Sequence, residues 1–218
     1  MIQAILFDLD GTLLDRDSGI EPFLVEQCKR YSLDHLPFEK YLHRFIELDE
    51  HGYVDKVKVY QELGAEFEIP LTAEELAADF RLNSGKYCKP FPGAMEVLEQ
   101  LRSRGYKLGI ITNGYGESQR AKLVEFDLFD CVDEALISGE EQLRKPDKRI
   151  FKLAAERLGV TAAECVFVGD NPEADIFGAH QSGMKTIWFK GFLPWPESLA
   201  IVPDHTVNTL PELLSIEL

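Results

Sequence analysis

A short apolar run that ends in two acids constrains this chain more than any other feature. Ile2, Ala4, Ile5, Leu6 and Phe7 make an almost unbroken hydrophobic stretch, and Asp8 and Asp10 follow at once. Such a run suits a parallel strand buried on both faces, which requires a sheet with helices packed on either side. In sheets of that kind the ligand crevice lies beyond the carboxyl ends of the strands. Residues i and i+2 of an extended chain project to one side, so Asp8 and Asp10 are expected to share a crevice while Leu9 packs the other way. Gly11 permits a sharp turn with positive φ, and Thr12 can tie that turn down.

After Asp15 the apolar spacing becomes helical and stays so to about Lys89. Ile20, Phe23, Leu24, Cys28 and Tyr31 form one stripe; Phe38, Tyr41, Leu42, Phe45 and Leu48 form a second that stops at Gly52. Val57, Tyr60 and Leu63 suggest a third helix, and Thr72 to Glu75 is a capping-box pattern opening a fourth. The Pro and Gly punctuation of Cys88 to Gly93 reads as the return connection. From there strands and helices alternate. A helix from Ala94 precedes a strand at Leu108 to Ile111 that ends in Thr112 and Asn113, and Ala135 to Ile137 suggests another strand. Arg144, Lys145 and Pro146 precede a helix from Arg149 to Leu158, and Cys165 to Val168 forms a strand ending in Gly169 and Asp170. A helix from Pro172 to Gly183 and strands at Thr186 to Phe189 and His205 to Val207 complete the chain. The expected class is α/β, a doubly wound, mainly parallel Rossmann-like sheet over residues 1–15 and 90–218, with an all-α cap inserted at 16–89.

Three buried strands therefore end in polar groups at one edge: Asp8 and Asp10, then Thr112 and Asn113, then Asp170. Lys145 stands just before a helix amino terminus, and Asp175 lies in the acid cluster after Asp170. Each alone has an ordinary explanation in turn or capping chemistry. Taken together and in order, the phrases FDLDGT, ITNG, the lysine of RKPD, and VGDNPEAD resemble the four motifs of the haloacid dehalogenase superfamily. The phosphatase form fits better than the dehalogenase form, because Asp10 stands where an acid is needed to protonate a leaving oxygen. The resemblance spans the whole chain, including the helical insertion between the first two motifs.

That resemblance implies roles. Asp8 would be the nucleophile forming an aspartyl-phosphate, and Asp10 the acid that protonates the leaving group and then the base that activates water. The Asp8 carboxylate, the Asp10 backbone carbonyl and Asp170 would hold Mg²⁺, with Asp175 orienting them from behind. Thr112 and the Asn113 backbone would bind phosphoryl oxygens, and Lys145 would neutralise charge on the nucleophile and phosphoryl group. A phosphosugar mutase uses the same pair, and no sequence feature separates the two; a protein that keeps the fold without catalysis is a third reading.

The chain carries a formal net charge of −15, which repels a long polyanion, so no nucleic-acid polymer is expected as partner. A helical lid inserted after the nucleophile strand implies instead a small phosphorylated metabolite. Cys28, Cys88, Cys131 and Cys165 lack CxxC spacing, and the five histidines lack zinc-ligand spacing. No leader pattern and no run of 18 apolar residues is present, so a cytoplasmic, membrane-free location is the expectation. Oligomeric state is not legible.

Overall fold

The computed structural model describes all 218 residues. The chain divides into two compact units, Met1–Asp15 with Pro90–Leu218, and Arg16–Lys89.

The first unit is built on six strands: β1 (Ala4–Phe7), β2 (Lys107–Thr112), β3 (Glu134–Ile137), β4 (Cys165–Gly169), β5 (Lys185–Phe189) and β6 (His205–Val207). They hydrogen-bond in the order β3-β2-β1-β4-β5-β6, and every pairing is parallel. The chain moves outward from β1 in one direction and then in the other. The topological switch therefore falls between β1 and β4, where a parallel sheet opens its ligand crevice.

Alternation along β1 shows why the strand must be apolar throughout. Ile5 and Phe7 join a cluster with Ile110, Val168, Val97, Leu98 and Leu213, whereas Ala4 and Leu6 join Ile111, Phe167, Ile150, Phe151 and Ala154. The helix Ala94–Ser103 contributes Val97 and Leu98 to one face and the helix Lys148–Arg157 contributes Ile150, Phe151 and Ala154 to the other. Burying one such side chain stabilises the fold by about 1.5–3 kcal/mol.

The second unit is four helices, Ile20–Arg30, Phe38–Asp49, Lys56–Phe67 and Ala73–Asn83. Each supplies one ring to a shared aromatic centre: Phe23 meets Phe80 edge-on at 5.0 Å, Phe80 stacks on Phe45 at 5.8 Å, and Phe45 meets Tyr60 at 5.6 Å. Thr72 and Glu75 close the capping box that opens the last helix. The second helix stops earlier than Gly52, because the chain turns left-handed at Glu50. Asp49, at that helix end, is buried between Arg16 at 2.7 Å and Lys56 at 2.5 Å. No helix in either unit is long and apolar enough to cross a membrane.

One element differs in kind from its sequence reading. Pro172 to Gly183 is not an uninterrupted α-helix: Pro172–Phe177 is π-wound and passes into an α-helical turn at Gly178–Ser182. The wide turn follows from Asn171, whose side chain accepts from the Glu173 and Ala174 amides while its carbonyl accepts from Ile176. That winding carries Asp175 inward, and its carboxylate accepts from the Asn171 amide at 3.0 Å. Such π-turns are frequent at functional sites.

Candidate active site

Strand pairing carries the first acid into the crevice. The Asp8 amide donates to the Val168 carbonyl at 2.9 Å, extending the β1–β4 ladder one residue beyond the strand and setting Asp8 beside Gly169 and Asp170. The chain then folds back tightly, the amides of Leu13 and Leu14 donating to the Leu9 carbonyl. Gly11 takes φ +90° in this turn, and a Cβ there would stand 2.6 Å from Asp170 Oδ2. Thr12 does more than hold the turn, since its hydroxyl donates to Asp170 Oδ1 at 3.2 Å. Gly11→Ala is accordingly expected to cost roughly 1–3 kcal/mol in backbone strain, measured by denaturant unfolding. By displacing Asp170 it should also lower kcat about 10²-fold.

Around Asp8 the charges are buried and unequal. Asp8 is 8% exposed, Asp170 5%, Asp175 1% and Lys145 3%. Lys145 Nζ bridges Asp8 Oδ1 at 2.5 Å and Asp175 Oδ1 at 2.7 Å. Carboxylate oxygens of Asp8, Asp170 and Asp175 all lie within 4.8 Å of one another. Burial, relieved in part by Lys145 and aggravated by Asp175, pushes Asp8 up to about 7. Asp170 is driven well above the usual carboxylate range by burial, then by Asp175 and Asp8. Lys145 is pulled down by burial, but Asp175 and Asp8 outweigh that and leave it raised. Three acids facing one ammonium form a hard-oxygen donor set deficient in positive charge, which fits a cation such as Mg²⁺. Asp175 is already engaged by Lys145 and the Asn171 amide, which suits it to orienting the other acids.

The remaining predicted residues stand at the same edge. Asn113 uses its side chain, not its backbone alone: Oδ1 accepts from the Lys145 amide at 2.9 Å and Nδ2 donates to the Lys145 carbonyl at 3.0 Å. This two-point clamp fixes the backbone that presents the lysine. Thr112 is buried at the end of β2 and its hydroxyl accepts from Gln119 at 2.5 Å. The indole of Trp188 donates to the Asp170 carbonyl at 3.0 Å, securing the other side of the crevice.

Asp10 has a lysine of its own. Its Oδ2 accepts from Lys122 Nζ at 2.6 Å and from Gln119 Nε2 at 2.9 Å. Neither Gln119 nor Lys122 is among the residues the sequence motifs single out. Both lie on the helix Gly116–Glu125 and are buried together with Leu123. No sequence signal finds them, because this helix buries polar side chains and its inner face does not stand out from its outer one.

Known proteins resemble this chain in sequence and in fold. Residues 5–189 match the haloacid dehalogenase-like hydrolase family. A glyceraldehyde 3-phosphate phosphatase of Pyrococcus abyssi is 32% identical over 87% of this chain and 82% of its own length. The pyrimidine 5′-nucleotidase YjjG of Escherichia coli is 30% identical over 96% of this chain and 95% of its own. Among solved structures, a HAD phosphatase from Thermococcus onnurineus superposes with a TM-score of 0.70 at 30% identity, covering 98% of this chain and 97% of that one. With its six parallel strands and its acids at their carboxyl edge, the chain belongs to the haloacid dehalogenase-like hydrolases, as an enzyme acting on phosphoric monoesters.

Proposed function

We propose that this phosphatase hydrolyses a small phosphorylated metabolite through an aspartyl-phosphate on Asp8. The observation that carries the reading is the buried Asp8 carboxylate paired with Lys145 at 2.5 Å, beside Asp170 and Asp175 at the switch point of the sheet. In the first half-reaction an Asp8 oxygen attacks phosphorus as the ester P–O bond breaks, and Asp10 gives its proton to the leaving oxygen. In the second, water attacks the same phosphorus, Asp10 takes a proton from it, and inorganic phosphate leaves Asp8. Throughout, the Lys145 ammonium compensates charge on Asp8 and the phosphoryl oxygens, and the Thr112 hydroxyl and the Asn113 backbone N–H are donors to those oxygens. The Asp8 carboxylate, the Asp10 backbone carbonyl and Asp170 would hold Mg²⁺, which supplies further charge compensation when bound.

The relatives support hydrolysis rather than return of the phosphoryl group to a sugar, and their names point to small substrates: a phosphorylated triose in one case and pyrimidine nucleotides in another. The helical unit enters the chain between Leu13 and Phe91, which are hydrogen-bonded at 2.9 Å, so both of its tethers leave the α/β unit at one point. We take it to be the cap that limits substrate size and supplies specificity contacts. The test is kcat/KM over triose, sugar, amino-acid and nucleoside phosphates, a phosphopeptide and a 5′-phosphorylated oligonucleotide. At least one small metabolite should exceed both polymers; a polymer processed faster than every metabolite overturns the reading.

A further inference from the structure

The hydrogen-bond network around Asp10 assigns work to two residues outside the family motifs. Gln119 and Lys122 are 3% and 5% exposed. Lys122 Nζ donates to Asp10 Oδ2 at 2.6 Å and to Gln119 Oε1 at 3.0 Å. Gln119 Nε2 in turn lies 2.9 Å from Asp10 Oδ2 and 2.5 Å from Thr112 Oγ1. A buried ammonium carries a large desolvation cost, and hydrophobic residues of similar volume would fill the same space without it. Lys122 and Gln119 are aimed at one oxygen of one acid.

We propose that Lys122 and Gln119 are positioning residues for the acid/base step, fixing the Asp10 carboxyl group and deciding which of its oxygens carries the proton. The proposal rests on the reading of Asp10 as the acid. Because Oδ2 accepts from two N–H donors, the transferable proton sits on Oδ1. When the ester P–O bond breaks, that proton moves to the leaving oxygen, the O–H electron pair stays on Asp10, and the carboxylate left behind is stabilised by Lys122. Gln119 ties the same carboxylate to the Thr112 hydroxyl, so the acid and a phosphoryl-binding group are held by one amide. Positioning of this kind acts on the step in which the leaving group needs a proton, and leaves alone a leaving group that needs none.

That difference is the test. For wild type, Asp10→Asn, Lys122→Met, Lys122→Arg and the Asp10→Asn/Lys122→Met double variant, kcat/KM is measured on an alkyl phosphate and on 2,4-dinitrophenyl phosphate, whose phenoxide departs unprotonated. This parameter reports ester cleavage. Lys122→Met is expected to lose about 10²-fold on the alkyl ester. On the dinitrophenyl ester it should lose far less. Lys122→Arg should recover much of the alkyl activity, and the double variant should be no worse than Asp10→Asn, as expected of a residue acting through another. If circular dichroism shows Lys122→Met unfolded, Gln119→Met carries the same comparison. Equal losses on the two esters, no loss, or full additivity in the double variant overturns the inference while Asp10→Asn still shows the leaving-group dependence. A wild type inactive on both esters, or an Asp10→Asn loss that ignores the leaving group, overturns the reading of Asp10 and this inference with it.

Discussion

Asp8→Asn is expected to lower kcat by roughly 10⁴-fold or more, because under the proposed mechanism it removes the nucleophile and leaves only binding and electrostatic help. The fold should not suffer. Asp8 is a carboxylate that burial holds up to about 7, so above that pH its ionised form is a net cost to the folded state. The neutral amide removes that cost, and Lys145 keeps its 2.7 Å pair with Asp175. The thermal midpoint of the metal-free variant at pH 8 should therefore be no lower than that of wild type. Since the proposed nucleophile and acid would act as a unit, Asp8→Asn/Asp10→Asn should be little worse than Asp8→Asn. Near wild-type turnover by Asp8→Asn, in a preparation shown by mass to be free of deamidated protein, would rule out the aspartyl-phosphate.

The parts of the fold that were legible are those in which one residue serves two levels at once. A strand buried on both faces must be apolar along its length, so the first polar residue after it marks both the strand end and the crevice; Asp8, Thr112 and Asp170 were readable for that reason. The helices of the inserted unit were readable because each turns one apolar stripe, carrying one ring, to a common centre. Gln119 and Lys122 were not, because their helix Gly116–Glu125 buries polar side chains and its inner face does not stand out from its outer face. The sequence likewise offers no reason for Asn113 to spend its side chain on the Lys145 backbone, since the two are 32 positions apart and are neighbours only through the pairing of β2 with β3. The π-wound turn reads as plain helix in the sequence for a related reason. Its cause is the capture of the following amides by the Asn171 side chain and carbonyl, and the Asp175–Lys145 pair that this winding allows is a tertiary contact absent from local periodicity.

Removal of divalent cations is expected to abolish turnover, and Mg²⁺ to restore it, because three buried carboxylates face the Lys145 ammonium in the space where a phosphate dianion must arrive. The same imbalance predicts how metal-free stability depends on pH. Asp8 has an ordinary value of 3.8 and is raised to about 7 in the folded protein. Between those values the folded state binds more protons than the unfolded state, so stability falls as pH rises through the window and levels off above it. Asp170, raised by burial and by its two acidic neighbours, pushes in the same direction. A divalent cation bound there would take the place of those protons as counter-charge. The rise in thermal midpoint on adding Mg²⁺ should consequently be small at pH 5 and larger at pH 8. Asp170→Asn should raise the Mg²⁺ concentration needed for half-maximal activity and flatten the pH dependence of metal-free stability, since it removes one of the competing charges. Differential scanning calorimetry on chelated and Mg²⁺-loaded protein across this range provides the measurement. Full activity after exhaustive chelation, or an Mg²⁺-induced shift that does not grow with pH, would show that the acidic cluster balances its charge without a metal.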